Sequence, residues 1–141
     1  MTPEHGIIKG DIQGMTTLLQ VYDMPVSIRF YRDILGFAIH ASSGEGDDVD
    51  WVWLKLNDFE LMLNTAYERH ERPPSPDPVR IAAHNDISLY LGHPDIDAIY
   101  NYLAGKGIIL GKPQITKYNW KAIWFNDPDG YQICFHWPGA K

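Results

Sequence analysis

Few residues in this chain can do chemistry, and their spacing says of what kind. Cys134 and His136 stand two apart in the alternating run Gln132-Ile133-Cys134-Phe135-His136. On a strand such residues share a face, so the imidazole can acidify the thiol and make it a nucleophile. A small apolar filler is the other reading of the same cysteine. Glu60 falls in a second alternating run, Phe59 to Asn64. It is a candidate general base, an anchor for a cationic ligand, or a carboxylate paired with Lys121 or Arg80. Asp86 opens a third run and either faces a ligand or closes a turn after Asn85. His5, His40, His70, His84 and His93 lack metal-ligand spacing and read as surface or turn residues.

The elements that must position these groups are written twice. Thr17 to Tyr22 alternates as a half-buried strand does. Asp23-Met24-Pro25 then caps a helix whose Met24, Ile28, Tyr31 and Leu35 share one face, and Gly36 ends it. Ile87 to Leu91 alternates again. Gly92-His93-Pro94 opens a second helix carrying Ile96, Ile99, Tyr100 and Leu103, closed by Gly105 and Gly107. The offset from Thr17 to Ile87 is 70 residues and from Gly36 to Gly107 it is 71. Such self-similarity predicts two like units. Further strands are expected at 37–42, 50–56 and 59–64 in the first, and at 108–110, 121–126 and 131–136 in the second. Asn57-Asp58 and Asp127-Pro128-Asp129-Gly130 read as turns.

The predicted architecture is therefore α+β, one domain over 1–141 built of two strand–helix–strands modules. The first spans about 16–67 and the second about 86–137. A proline-rich connector covers 68–78, and residues 1–15 are an N-terminal arm without counterpart. Each unit has one greasy strand face for helix packing. The other face mixes Leu18, Gln20, Tyr22, Met62, Tyr90 and Cys134, a composition that suits a pocket lining.

Composition narrows the function. With 12 basic against 18 acidic residues the net charge is −6, and the cations are scattered. Duplex nucleic acid and anionic membranes both require clustered positive charge, so neither is an expected partner. No apolar run nears the ~20 residues of a membrane span. A lone cysteine cannot form an internal disulfide, and the first twelve residues lack a signal-peptide pattern. A reduced, cytoplasmic protein is expected.

Two motifs on this repeat resemble a family. The strand, Asp23-Met24-Pro25 and Phe30-Tyr31-Arg32-Asp33-Ile34-Leu35-Gly36-Phe37 are similar to the vicinal-oxygen-chelate superfamily of glyoxalases, bleomycin-resistance proteins, fosfomycin-resistance enzymes and extradiol dioxygenases. Asn126 to Phe135 resembles its closing hairpin. The resemblance implies two βαβββ modules with curved mixed sheets, paired around a cleft, commonly in a homodimer. It also implies four metal-ligand slots, which fall on Thr16, Glu60, Asp86 and Cys134. Metal-dependent members fill them mostly with His, Gln and Glu, and only Glu60 keeps that pattern. No cofactor is therefore expected, a divalent metal being the alternative. No His stands in any slot, which argues against an extradiol dioxygenase. Relatives often carry an aromatic and a basic residue at the cleft mouth, where Trp120 and Lys121 stand. The expected function is binding of a small, partly aromatic molecule by Gln20, Tyr22, Met62, Asp86, Tyr90, Trp120 and Lys121. The alternative is a lyase or isomerase acting on a small carbonyl compound, with Glu60 as base and Cys134 and His136 as further catalytic candidates. A third reading is an interaction protein with a vestigial cleft.

Overall fold

Alternation of apolar side chains becomes sheet throughout the computed structural model, which describes residues 10–139. The first module contains β1 (Thr17–Val21), α1 (Met24–Ile28), β2 (Ala38–Ser42), β3 (Trp51–Leu56) and β4 (Phe59–Thr65). Its sheet runs β1-β4-β3-β2. β1 and β4 are parallel and the other pairs antiparallel. The second module repeats this with β5 (Ser88–Gly92), α3 (Ile96–Gly105), β6 (Gln114–Ile115), β7 (Trp120–Asn126) and β8 (Gln132–Pro138), in the order β5-β8-β7-β6. The α+β architecture of two βαβββ units is thus present.

The Asp23 carboxylate caps α1 by accepting from the Val26 amide. The helix widens into a π-helical stretch over Arg29–Ile34, where the Leu35 amide reaches back to the Phe30 carbonyl. Gly36, at φ +91°, closes it, and Phe37 N–H bonds Tyr31 C=O. Met24, Ile28 and Tyr31 are buried on the expected face.

Three expectations are corrected. The second helix opens at Asp95, whose carboxylate accepts from Ala98 N–H, and not at Gly92-His93-Pro94. Residues 108–110 form no strand: Ile108 N–H closes α3 on the Leu103 carbonyl, and the edge strand comes later, at Gln114–Ile115. The connector leads into an unforeseen helix, α2 (Pro78–Ala83), capped by Asp77 and followed by a 3₁₀ turn over His84–Asp86. Its six residues bury no side chain, so it carries no apolar period to read.

The greasy faces meet in one core. Leu19, Val21, Leu61 and Leu63 of the first sheet and Ile123, Ile133 and Phe135 of the second are all buried within it. The Phe30 and Phe125 rings, 6.3 Å apart, join the two modules.

Candidate functional site

The opposite faces of the two sheets stay open, and each gathers a distinct group. On the first, β1 and β4 pair so that Thr16 precedes the rung facing Leu61 and lies beside Glu60. Thr16 Oγ1 donates to Glu60 Oε2 at 2.9 Å, and Lys55 Nζ, on the adjacent strand, is 3.3 Å from Oε1. These contacts, the threonine hydroxyl first, hold the Glu60 carboxyl below its usual range. It is ionised at neutral pH and so a weak base. The partners expected for it lie elsewhere, since Lys121 pairs with Asp97 at 2.7 Å and Arg80 with Asp129 at 3.0 Å. His40 sits edge-on to Trp53, with ring centroids 5.0 Å apart. Met62 is half-buried, in register with Trp53.

The second open face is aromatic. His136 stacks on Trp120 at 4.6 Å and 24°, and Tyr90 leans on it from the other side at 5.3 Å. With Tyr118 and Trp124 these rings line an open cavity of about 510 Å³, whose only other lining residues are Thr116 and Ala122. His136 Nδ1 is buried without a hydrogen-bond partner. Strand alternation explains the grouping: Trp120, Ala122 and Trp124 of β7 point to the face shared by Cys134 and His136 of β8.

Several expected site residues are placed otherwise. Lys121 points to the other side of β7 and is tied to Asp97 at the start of α3, because strand alternation sends it opposite to Trp120. The Tyr22 hydroxyl donates to the Pro73 carbonyl at 2.6 Å and its ring lies under Arg72, so it braces the connector. The Gln20 side chain is exposed and accepts from Asn64 at 3.2 Å. Asp86 ends the 3₁₀ turn, exposed. Cys134 is fully buried, and burial pushes its thiol up to about 11. It packs as a small buried side chain, and the ring of His136 lies against Trp120 and Tyr90.

The four metal slots do not fit a metal. Thr16 offers a neutral hydroxyl bonded to Glu60, Glu60 is ion-paired with Lys55, Asp86 lies at the surface, and Cys134 is a buried soft donor apart from them. Among the described residues no three His, Cys, Asp or Glu side chains are placed to share an ion.

What the sequence reading missed is a buried polar clasp between the modules. Asp127 and Asp129, read only as turn formers, point inward and are 5% and 2% exposed. Asp127 accepts from the Tyr31 hydroxyl at 2.6 Å and from the amides of Asp129 and Tyr131. Asp129 accepts from Tyr22 N–H at 2.7 Å, Ser27 Oγ at 3.2 Å and Arg80 at 3.0 Å. His84 stacks on Tyr131, 4.0 Å apart, and its Nδ1 meets the Asp129 carbonyl. Burial raises Asp127 to about 6 and sends Tyr31 well above its ordinary value.

The family model for the glyoxalase/bleomycin resistance protein/dioxygenase superfamily matches residues 14–135. The chain belongs to this superfamily. Among curated proteins, the superfamily chain is 28% identical over 122 residues to the metallothiol transferase FosB of Lysinibacillus sphaericus, covering 84% of this chain and 77% of that one. Among solved structures, a bleomycin resistance determinant encoded on the transposon Tn5 superposes with TM-score 0.65 at 20% identity, covering 92% of this chain and 100% of that one. TnmS3, an antibiotic binding protein from Streptomyces sp. CB03234, gives TM-score 0.64 at 22% identity, covering 91% and 98%. These likenesses are of fold. No helix among the described residues is long and apolar enough to cross a membrane.

Proposed function

We propose that this superfamily member binds a small planar aromatic molecule on the open face of its second module, without a metal. One observation carries the reading: the stacked pair Trp120–His136, flanked by Tyr90, Tyr118 and Trp124, borders an open apolar cavity. A flat ring placed there continues an existing stack. Such contacts reward offset aromatic geometry beyond the area they bury. Carboxylates and lysines are absent from the lining, so the ligand is recognised by shape and stacking more than by charge. The fold-level likeness to an antibiotic binding protein is in keeping with binding of a small molecule. The test is a fluorescence titration with planar aromatic compounds. Binding should quench Trp emission, and Trp120→Ala should weaken it by about 1–3 kcal/mol. Unchanged affinity in that variant removes Trp120 from the site.

The second reading is a lyase or isomerase acting on a small carbonyl compound with Glu60 as base, with or without a divalent metal; the likeness to a metallothiol transferase favours only the presence of a metal. The donor set opposes it. Protein purified without a metal-binding tag should carry well under one equivalent of Zn, Ni, Mn or Fe by elemental analysis. Near-stoichiometric metal would favour the enzyme.

A further inference from the structure

The internal repeat lets one module be used as a template for the other. At an offset of 70, Gln20 corresponds to Tyr90 and Tyr22 to Gly92. β1 and β5 are both edge strands, parallel to their single neighbours. The bond from Ala66 N–H to Val21 C=O shows which way β1 faces its partner: Thr17, Leu19 and Val21 turn their main-chain groups toward β4. Leu18, Gln20 and Tyr22 turn theirs away. The bonds Gln132 N–H to Ile87 C=O and His93 N–H to His136 C=O do the same for β5. Ser88, Tyr90 and Gly92 therefore present their amides and carbonyls at the free edge.

The two edges are treated differently. On β1, Asp129 takes the Tyr22 amide, while Arg80 and the Tyr131 hydroxyl donate to the Gln20 carbonyl. On β5, the matching Gly92 amide and Tyr90 carbonyl have no partner among the described residues. The cause lies in the turns. The β7–β8 turn, Asp127 to Gly130, carries two inward carboxylates, whereas its counterpart in the first module is only Asn57-Asp58, which borders the end of β5 without a backbone hydrogen bond to it among the described residues. Where the second clasp would sit there is a crevice of about 290 Å³, running the length of β5. It continues into a further 260 Å³ and shares Leu35, Phe59, Leu91 and Gly92 with that space.

We propose that this crevice binds a short extended peptide, uncharged and apolar in side chain, which adds as a strand to the free edge of β5. Its carbonyl accepts from Gly92 N–H and its amide donates to Tyr90 C=O, supplying what Asp129, Arg80 and Tyr131 supply to β1. Strand addition of this kind takes affinity from main-chain bonds and specificity from alternate side-chain pockets. Those pockets are formed here by Leu35, Phe59 and Leu91. Ser88 to Gly92 spans about 13 Å at ~3.3 Å per residue, which suits a ligand of about three residues. Thr17, Phe59, Glu60 and Leu61 of the first module flank the crevice opposite β5; the Glu60 carboxylate is already taken by Thr16 and Lys55, so it asks for no charge on the peptide. A second copy of the chain could also bring a strand to this edge, and its binding would then depend on the protein concentration. The proposal concerns a different cavity from the aromatic one and stands without it.

The probe is acetyl-leucyl-valyl-leucine amide, titrated into the ¹⁵N-labelled full chain, with its analogue N-methylated at the valine nitrogen as control. Saturable shifts of the Ser88, Tyr90 and Gly92 amides are expected, with at least tenfold weaker binding of the N-methylated peptide. Phe59→Ala, at a residue already 60% exposed, should weaken binding at least fivefold and leave the fold intact. Four results overturn the proposal: no saturable shift at 88–92, equal binding of both peptides, shifts confined to Tyr118, Trp120 and Trp124, or shifts at 88–92 produced by dilution of the protein alone, which would make a second copy the occupant.

Discussion

Asp127 is the residue whose environment departs furthest from what its neighbours in sequence suggest. It is 5% exposed and its carboxyl is raised to about 6, burial outweighing the donors that surround it. A carboxylate whose folded value is raised binds its proton more tightly in the folded chain than in the unfolded one. Its contribution to stability is therefore fully present below about pH 4 and is lost as the pH rises through about 6. Asp127→Asn keeps an acceptor for the amides of Asp129 and Tyr131 and offers an amide donor to the Tyr31 oxygen. It should remove that loss, gaining on the order of 2–3 kcal/mol over wild type at pH 7.5 relative to pH 4. Urea denaturation at the two values checks this, and parallel curves for the two proteins would refute it. Asp127→Ala instead strands a buried hydroxyl and two amides, and should cost about 2–4 kcal/mol at pH 4 and less at pH 7.5, where the wild type has already lost the stability tied to its protonated carboxyl.

At the scale of elements, α2 is the part that sequence reasoning passed over. It has no buried face, and its importance rests on Arg80, which links the Asp129 carboxylate to the Gln20 carbonyl of β1. Arg80→Met leaves Asp129 buried with two donors and no counter-charge, a loss of about 2–4 kcal/mol. Adding Asp129→Asn should recover much of it, and a strictly additive double variant would show that the pair is not coupled. Gly130 is constrained by the same helix. It sits at φ +87°, and a Cβ there would fall 2.4 Å from the Ile81 carbonyl. Gly130→Ala should therefore destabilise by about 3 kcal/mol in the same assay.

These particulars show which features could be read from the sequence. β1, β3, β4, β7 and β8 were legible because alternation leaves a period-two signal. α1 was legible from its cap, its apolar face and Gly36. Segment 108–110 misled because a coil can pack Ile108 and Leu110 against the core as a strand would. Lys121 turning away from Trp120 follows from alternation once β7 is known to begin at Trp120, whereas the bracing of Tyr22 was not legible, since its partner Pro73 is distant in sequence. Neither were the inward carboxylates of Asp127 and Asp129, because a turn motif states backbone conformation and not which way its side chains face.

For the whole molecule, the open faces carry more apolar surface than a solvated sheet does. Leu18, Tyr90 and Tyr118 on these faces are each at least 41% exposed. Apolar exposure of this kind marks an interaction surface. We expect a homodimer, and sedimentation at micromolar concentration should give about twice 16.1 kDa. A concentration-independent monomer would refute it.

Tyr90 lines both the aromatic cavity and the inter-module crevice, and no other described residue lines both. An occupant of one space that displaces Tyr90 changes the lining of the other. To whatever degree Tyr90 is displaced, occupants of the two spaces would be linked, and linkage is reciprocal: whatever factor a stacked ring imposed on the affinity of the edge, the edge would impose on the ring. A single tyrosine thus gives this small chain the means to report the filling of one space to the other.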